Sequence, residues 1–171
     1  YQLNSGEYLF IQDYSEGGYE YTFYDKSFHE LDGGVLDNPE LSMEEAIDEL
    51  LSEKHMTLSN CKVIEADNFR ETADRAQYFP QEAYEALKPL MDNGQDEIAF
   101  QVGDSYVLIQ MGSEGYQYIT YDEKWNETNC KQYLGPVSSM EDAVGFVFGD
   151  EHFGNAKVTP ISVTDLVKET E

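Results

Sequence analysis

The residues from Tyr8 to Asp25 alternate in the manner of a β-hairpin. YLFIQDY (Tyr8 to Tyr14) and YEYTFYD (Tyr19 to Asp25) are rich in aromatic and β-branched side chains and are joined through Ser15 to Gly18, a Gly-bearing connection of the kind that links paired strands. The period of two places Tyr19, Tyr21 and Phe23 on one face and Glu20, Thr22 and Tyr24 on the other. Asp32-Gly33-Gly34 reads as a bulge or turn before a short third strand at Val35 and Leu36. The period then changes. Met43, Ala46, Ile47, Leu50 and Leu51 stand at i, i+3, i+4, i+7 and i+8, the stripe of a helix with one buried face. Ser42 with Glu45 three residues later predicts a capping box at its start. The opposite face carries Glu44, Glu45, Asp48, Glu49 and Glu53, and a strand from Cys61 to Ala66 follows.

The same pattern returns 97 residues later. Laid without a gap over Gly115 to His152, the segment Gly18 to His55 gives twelve identities in 38 positions, against roughly two or three expected from average residue usage. Gly18, Tyr19, Tyr21, Tyr24, Asp25 and Glu30 fall on Gly115, Tyr116, Tyr118, Tyr121, Asp122 and Glu127. Pro39, Ser42, Met43, Glu44, Ala46 and His55 fall on Pro136, Ser139, Met140, Glu141, Ala143 and His152. The second copy reads YVLIQM, SEGYQYITYD and a weaker third strand at QYL, then a helix with Met140, Ala143, Val144, Val147 and Phe148 inward and Ser139 and Asp142 at its cap. A strand at Lys157 to Ile161 and a short helix at Ser162 to Glu169 complete it.

The expected fold is therefore α+β, with two tandem β-β-(β)-α-β repeats, each an antiparallel sheet covered by one amphipathic helix. The expected boundaries are residues 1–67 for the first repeat, 68–94 for a helical connector and 95–171 for the second repeat. Within the connector, Pro80 suits the first turn of a helix, Pro89 should end or kink it, and Asn93-Gly94 reads as a closing turn. Glu97 to Val102 is a further strand whose first-copy counterpart is expected at or before Tyr1, so the chain reads as cut from a longer parent or freed of a leader.

Charge changes the picture next. The chain has 35 acids against 10 bases, a formal net charge of -25. Self-repulsion of that size favours a soluble monomer and disfavours direct contact with nucleic acid or an anionic membrane. A basic or nucleic-acid-binding protein is the expected kind of partner. No run approaches the ~20 apolar residues of a membrane span. Cys61 and Cys130 occupy non-equivalent places in the repeat, which favours two reduced thiols over a structural cystine and a cytoplasmic setting; secretion is the alternative if a leader has been removed.

Motifs that would force an enzymatic reading are missing: no phosphate-binding Gly-rich loop, GxSxG, HExxH, CxxC or GxGxxG. No catalytic residue, metal ligand or cofactor is assigned. His55 and His152 coincide in the repeat and sit where helix carbonyls favour a cation, a structural role; His29 faces Asn126 and gains no such support. Asp32, Asp37, Asn38 and Glu40 depart from calcium-loop spacing, and the second copy has Asn129, Leu134 and Val137 where the three acids stand. Tyr19, Tyr21, Tyr116 and Tyr118 are read as a sheet face beneath the helix, half-exposed with their hydroxyls reaching water.

The segment GYEYTFYDKSFHELDGGVLDNPELSMEEAIDELL resembles small acidic domains of gut Firmicutes mobile elements, where they accompany antirestriction-type and other large polyvalent proteins. The resemblance rests on Tyr19 to Leu51 and extends to Tyr116 to Phe148. It implies a bacterial cytoplasm and a mobile-element context, and carries no catalytic residues. The leading expectation is a non-enzymatic acidic interaction module, in its sharpest form a DNA mimic in which Glu44, Glu45, Asp48, Glu49 and Glu53, extended by Glu141 and Asp142, stand in for phosphates. The alternative is a structural or sensory domain of a secreted or surface protein.

Overall fold

Strand alternation and helix amphipathicity assemble here into sheets that are buried on both faces. The computed structural model describes residues 1–132 and 137–170, and the chain divides into two compact units, Tyr1–Gln77 and Tyr78–Glu171. The first unit contains β1 (Gln2–Leu3), β2 (Tyr8–Asp13), β3 (Tyr19–Tyr24), β4 (Glu30–Leu36), α1 (Met43–Glu53), β5 (Cys61–Lys62) and α2 (Ala66–Ala76). The second contains α3 (Gln81–Met91), β6 (Glu97–Val102), β7 (Ser105–Gly112), β8 (Gly115–Tyr121), β9 (Glu127–Gln132), α4 (Met140–Glu151), β10 (Val158–Ile161) and α5 (Val163–Thr170). The sheets run β4-β3-β2-β1-β5 and β10-β6-β7-β8-β9, with every pairing antiparallel. The strand expected before the second unit is β6, and its counterpart is β1, inside the chain.

The expected faces of β3 are the observed ones. Tyr21 and Phe23 pack with Leu3, Leu9, Ile47, Leu50 and Leu51 beneath α1, whereas Tyr24 turns to the other side with Tyr8, Phe10 and Phe28. That second face is covered by α2, through Phe69, Ala73 and Ala76. A sheet covered by one helix was expected, and the second helix is the addition. In the second unit α5 takes the same place: Leu166, 97 residues after Phe69, packs with Ala99, Leu108, Tyr106 and Trp125. The stretch expected to be a connector thus separates into α2, which completes the first unit, and α3, which with Phe79 just before it packs through Ala83, Leu87 and Met91 into the core formed with α4. Pro89 neither ends nor interrupts α3, which runs on to Met91; so near the C-terminus the missing proline N–H removes only one of the last ladder bonds.

Two other expectations change. Asp32-Gly33-Gly34 is not a turn but part of β4, where Gly33 pairs with Thr22 and Gly34 with Tyr21. The bulge lies one residue earlier, at Leu31, since Tyr24 faces Glu30 while Phe23 faces Asp32. In the second unit Tyr121 faces Glu127 while Thr120 faces Asn129, so Thr128 is the bulged residue. The strand expected at QYL starts earlier, at Glu127; Tyr133, Leu134 and Pro136 lie outside the described residues. The strand expected from Cys61 to Ala66 stops at Lys62, and Ala66 already opens α2.

The repeat identities now have causes. Asp25 and Asp122 close the β3–β4 and β8–β9 connections: Asp25 Oδ1 accepts from the N–H groups of Ser27 at 2.7 Å and His29 at 3.0 Å, and Asp122 Oδ1 from those of Lys124 at 2.8 Å and Asn126 at 2.9 Å. Each connection holds a bulky residue in the left-handed region, Phe28 at φ 65° and Trp125 at φ 65°. That conformation costs roughly 1–2 kcal/mol for an L-residue. It is offset by ring stacking, Phe28 on Tyr8 at 4.7 Å and Trp125 on Tyr106 at 4.0 Å between centroids, and by burial worth roughly 1.5–3 kcal/mol for a large apolar side chain. His55 and His152 are also left-handed, at φ 56° and 52°. His55 follows Lys54, the C-cap of α1, in a Schellman turn, in which the Met56 N–H reaches the Leu51 carbonyl at 2.9 Å. Both histidines thus stand at left-handed positions at the end of their helices.

His55→Gly should therefore raise unfolding free energy by about 0.5–1 kcal/mol by removing left-handed strain from an exposed residue. Phe28→Gly relieves the same strain but should lower stability by about 2 kcal/mol or more, because loss of a buried phenyl typically costs about 3–5 kcal/mol. Urea titrations of the two variants check the opposite signs.

Candidate functional site

The acidic face of α1 begins from its cap. The Glu45 N–H donates to Ser42 Oγ at 3.3 Å and the Ser42 N–H donates to Glu45 Oε2 at 2.8 Å, the reciprocal pair expected of a capping box. Two bonds to the carboxylate, first that from the Ser42 backbone N–H and then that from its hydroxyl, hold the Glu45 carboxyl below its ordinary value. Glu45 is therefore a structural residue of the helix start and not a free member of a binding stripe. Glu44, Asp48, Glu49 and Glu53 are exposed, and among the described residues none of the four is in an ion pair. Lys54, the cation next to them in sequence, turns instead to Glu7 at 3.3 Å and lies 4.6 Å over the Phe23 ring.

The second copy does not repeat this face. Gly145 and Gly149 of α4 stand where α1 has Asp48 and Ser52, and the Tyr78 ring lies against both, 3.7 Å and 3.8 Å from where a β-carbon would be. Gly145 is buried there, with Phe79 close by, so an aspartate at that position would have to bury its charge. The helix face that carries acids in the first unit is packed over by Tyr78 and Phe79 in the second. Glu141 is half-buried; Asp142 is exposed and its carboxylate accepts from Ser138 Oγ at 2.9 Å. Ser139 accepts from the Asp142 N–H at 3.1 Å, so that half of the capping interaction is present. Glu141 and Asp142 lie in the first turn of α4, in the second unit.

A polar cluster lies at the C-terminal end of α4. Tyr118 has no exposed surface, yet its hydroxyl meets two carboxylates, Asp150 and Glu151, the latter at 2.7 Å. Asn129 Nδ2 donates to the Tyr118 hydroxyl at 3.2 Å and to Glu151 Oε1 at 2.5 Å. Lys131, directly across from Tyr118 in the β8–β9 ladder, closes the cluster with an ion pair to Asp150. Burial first, then the bonds to Asp150 and Glu151, raise the Tyr118 hydroxyl far above the ordinary phenol range. The bond from Lys131, followed by that from Tyr118, holds Asp150 low. The hydroxyl reaches these carboxylates and not the water expected for it. The cluster was not read from the sequence, although its signal was there: a tyrosine repeated 97 residues apart and opposite a lysine on the neighbouring strand.

The first-copy counterparts of Tyr118, Asn129, Lys131, Asp150 and Glu151 are Tyr21, Asp32, Gly34, Glu53 and Lys54. Tyr21 pairs across the ladder with Gly34, and its hydroxyl would lie 3.1 Å from a β-carbon built there. Burial first, then the charges of Asp32 and Glu53, raise the Tyr21 hydroxyl above its ordinary value. One acid is kept, the asparagine becomes an acid, and the lysine moves from the strand to the end of the helix, where Lys54 stands in place of Glu151. Of the four other tyrosine and cysteine positions, Tyr116 is buried, Tyr19 is half-buried with its hydroxyl on the Leu41 carbonyl at 3.0 Å, and Cys61 and Cys130 are free thiols.

The family model of large polyvalent protein-associated domain 16 matches residues 1–76 and again residues 93–171. The chain belongs to this family. Each matched stretch contains one complete sheet with the helices equivalent to α1 and α2, so the family unit is the two-faced sheet, and the whole of α3 falls between the matches. No curated protein and no solved structure matches the chain. Within the described residues of this tandem pair of family domains, no helix is long and apolar enough to cross a membrane.

Lys131→Met should reduce stability at neutral pH by about 0.5–1 kcal/mol, a value discounted for the partial exposure of the pair. The sign of the pH effect follows from the lowered carboxyl of Asp150. Its contribution is full above about pH 4 and is lost as pH falls through the folded value. Urea unfolding between pH 5 and 2 should thus show a shallower acid decline in Lys131→Met than in the parent.

Proposed function

We propose that this tandem pair of domains is an acidic interaction module that works by binding and not by catalysis, engaging a basic surface on a nucleic-acid-binding protein through α1. The observation that carries the reading is the set of four exposed acids, Glu44, Asp48, Glu49 and Glu53, without a cation paired to them among the described residues. The wider field has the same sign: the first unit holds 18 acids against 5 bases and the second 17 against 5. Such a field attracts a basic partner over distances comparable to the Debye length of about 8 Å in physiological salt.

The sharper form of the proposal is mimicry of DNA. From Glu44 to Glu53 the helix rises about 13.5 Å at ~1.5 Å per residue, a length over which one DNA strand presents about four phosphates at ~3.4 Å each. Four free acids on α1 match the linear charge of one strand, and both strands together would require about twice as many. The module would act in a bacterial cytoplasm, in the mobile-element and antirestriction-type setting that the sequence resemblance implies.

The test is retention of basic proteins from a bacterial lysate on immobilised chain at 50 and 300 mM salt, alongside a Glu44→Gln, Asp48→Asn, Glu49→Gln and Glu53→Gln variant. Glu45 is left in place because its loss would damage the helix cap. A nucleic-acid-binding protein retained at low salt, reduced at least tenfold in the variant and displaced by duplex DNA is the expected outcome. Retention that the variant keeps in full excludes the α1 face, and displacement by salt but not by duplex DNA excludes the mimic.

A further inference from the structure

The aromatic cluster beneath α2 forms the wall of a cleft in the first unit. Tyr8 and Phe28 stack with ring centroids 4.7 Å apart, and Phe69 of α2 stands tilted to them at 49° and 47°. With Ile64, Glu65 and Asn68 these rings line a space of about 320 Å³, within the roughly 300–1,000 Å³ of sites that take small ligand groups. Phe28 and Phe69 are buried and Tyr8 is half-buried, so the cleft is aromatic at its base, while Glu65 at its mouth is exposed. Asn68 Nδ2 donates to Glu65 Oε2 at 2.7 Å, and among the described residues no cation is paired with this carboxylate.

The other end of the same aromatic row already holds a guanidinium. Arg70 Cζ lies 5.0 Å over the Phe10 ring, which stacks on Phe69 at 5.8 Å, and Arg70 Nη2 donates to Gln12 Oε1 at 2.7 Å. Arg70 is thereby committed at the Phe10 end. The second copy is built otherwise: Trp125 replaces Phe28 and stacks on Tyr106 at 4.0 Å, Leu108 replaces Phe10, and Ser162 replaces Glu65. A larger ring takes the place of the phenyl, and the carboxylate is gone.

We infer that the cleft receives the guanidinium of an arginine side chain from a partner protein, its planar head against Tyr8 and Phe28 and its N–H groups donating to the Glu65 carboxylate. The site lies on the α2 side of the sheet, opposite the α1 side, and stands apart from the acids of α1. Charge complementarity decides the occupant. An aromatic or aliphatic side chain would leave Glu65 without a cation in a unit that already holds 18 acids against 5 bases, and a second copy would bring a further net charge of -25. Arginine fits better than lysine, because a guanidinium is planar, weakly hydrated and stacks on rings, whereas an ammonium is a compact, strongly hydrated charge.

The probe is a capped tripeptide, Gly-Arg-Gly, compared with peptides carrying citrulline, lysine or tryptophan in place of arginine. Each is titrated into the full chain in physiological salt, with binding read by NMR at the Asn68 side-chain amide and the Tyr8 and Phe28 rings. The arginine peptide should bind at least tenfold more tightly than the citrulline peptide, which keeps the shape and loses the charge, and at least threefold more tightly than the lysine peptide. Phe28→Trp should fill the cleft with the ring that the second copy carries, and should lose at least tenfold in affinity. Glu65→Gln should lose at least fivefold; Glu65 is exposed, so this variant remains informative if thermal melting shows that Phe28→Trp folds poorly. The variant with Glu44→Gln, Asp48→Asn, Glu49→Gln and Glu53→Gln should change affinity by less than about twofold, which keeps this result separate from that of the α1 face. Equal binding of the arginine and citrulline peptides, tighter binding of the tryptophan peptide, or full binding by Glu65→Gln overturns the inference. Shifts at the same rings that grow with chain concentration in the absence of peptide would place a second copy in the cleft and overturn it as well.

Discussion

The constraint on which the structure depends is that each five-stranded sheet is buried on both faces. A strand such as β3 must then send Tyr21 and Phe23 to one helix and Tyr24 to another, and a slip of one residue would exchange the two sets. The hairpin ends prevent that slip. Asp25 and Asp122 tie down the turn amides, and the bulges at Leu31 and Thr128 shift the register at the same point in both copies. The left-handed Phe28 and Trp125 are the consequence: a turn that tight leaves an aromatic residue strained, and the residue is held because its ring seals the face covered by α2 or α5.

How much of this the sequence showed depends on the range of the interaction concerned. Local signals were legible: the α1 stripe, its Ser42–Glu45 cap, the hairpin alternation and the duplicated order of elements all arise within a few residues. The family match covers each copy of the fold separately, in agreement with the duplication. What was not legible was set by distant partners. Gly33 and Gly34 looked like a turn because their strand position is supported by Thr22 and Tyr21 across the ladder. The second covering helix was hidden because α2 is mostly polar and announces itself mainly through Phe69 and two alanines. The Tyr118 cluster needs five residues from three elements, and only the repeated tyrosine was visible as a pattern.

Acidity is distributed so that the fold tolerates it. Of the carboxylates with lowered values, Asp25, Asp122 and Asp142 sit at turns or caps where N–H or hydroxyl donors hold them, and Asp150 has Lys131. For Asp25 burial acts in the opposite direction and is outweighed by the donors from His29 and Ser27. These acids serve local structure and are not available to a partner. The acids of α1 after the cap have no such employment, which is why net charge alone is a poor guide to where a partner would bind.

The divergence between the copies separates structure from recognition. Where α4 must accept Tyr78 and Phe79, it has glycine in place of Asp48 and Ser52, and where β9 faces Tyr118 it has its own lysine. Both changes neutralise or cover a face inside the second unit. The first unit keeps Asp48 and the other exposed acids on that face of α1, uncovered by an equivalent of α3 among the described residues, and has Gly34 where the lysine stands. Since the backbone, the caps and the buried rows are shared, the fold does not require those acids. A carboxylate that the fold does not require still adds to self-repulsion, so the free acids of α1 are where charge falls without a structural return.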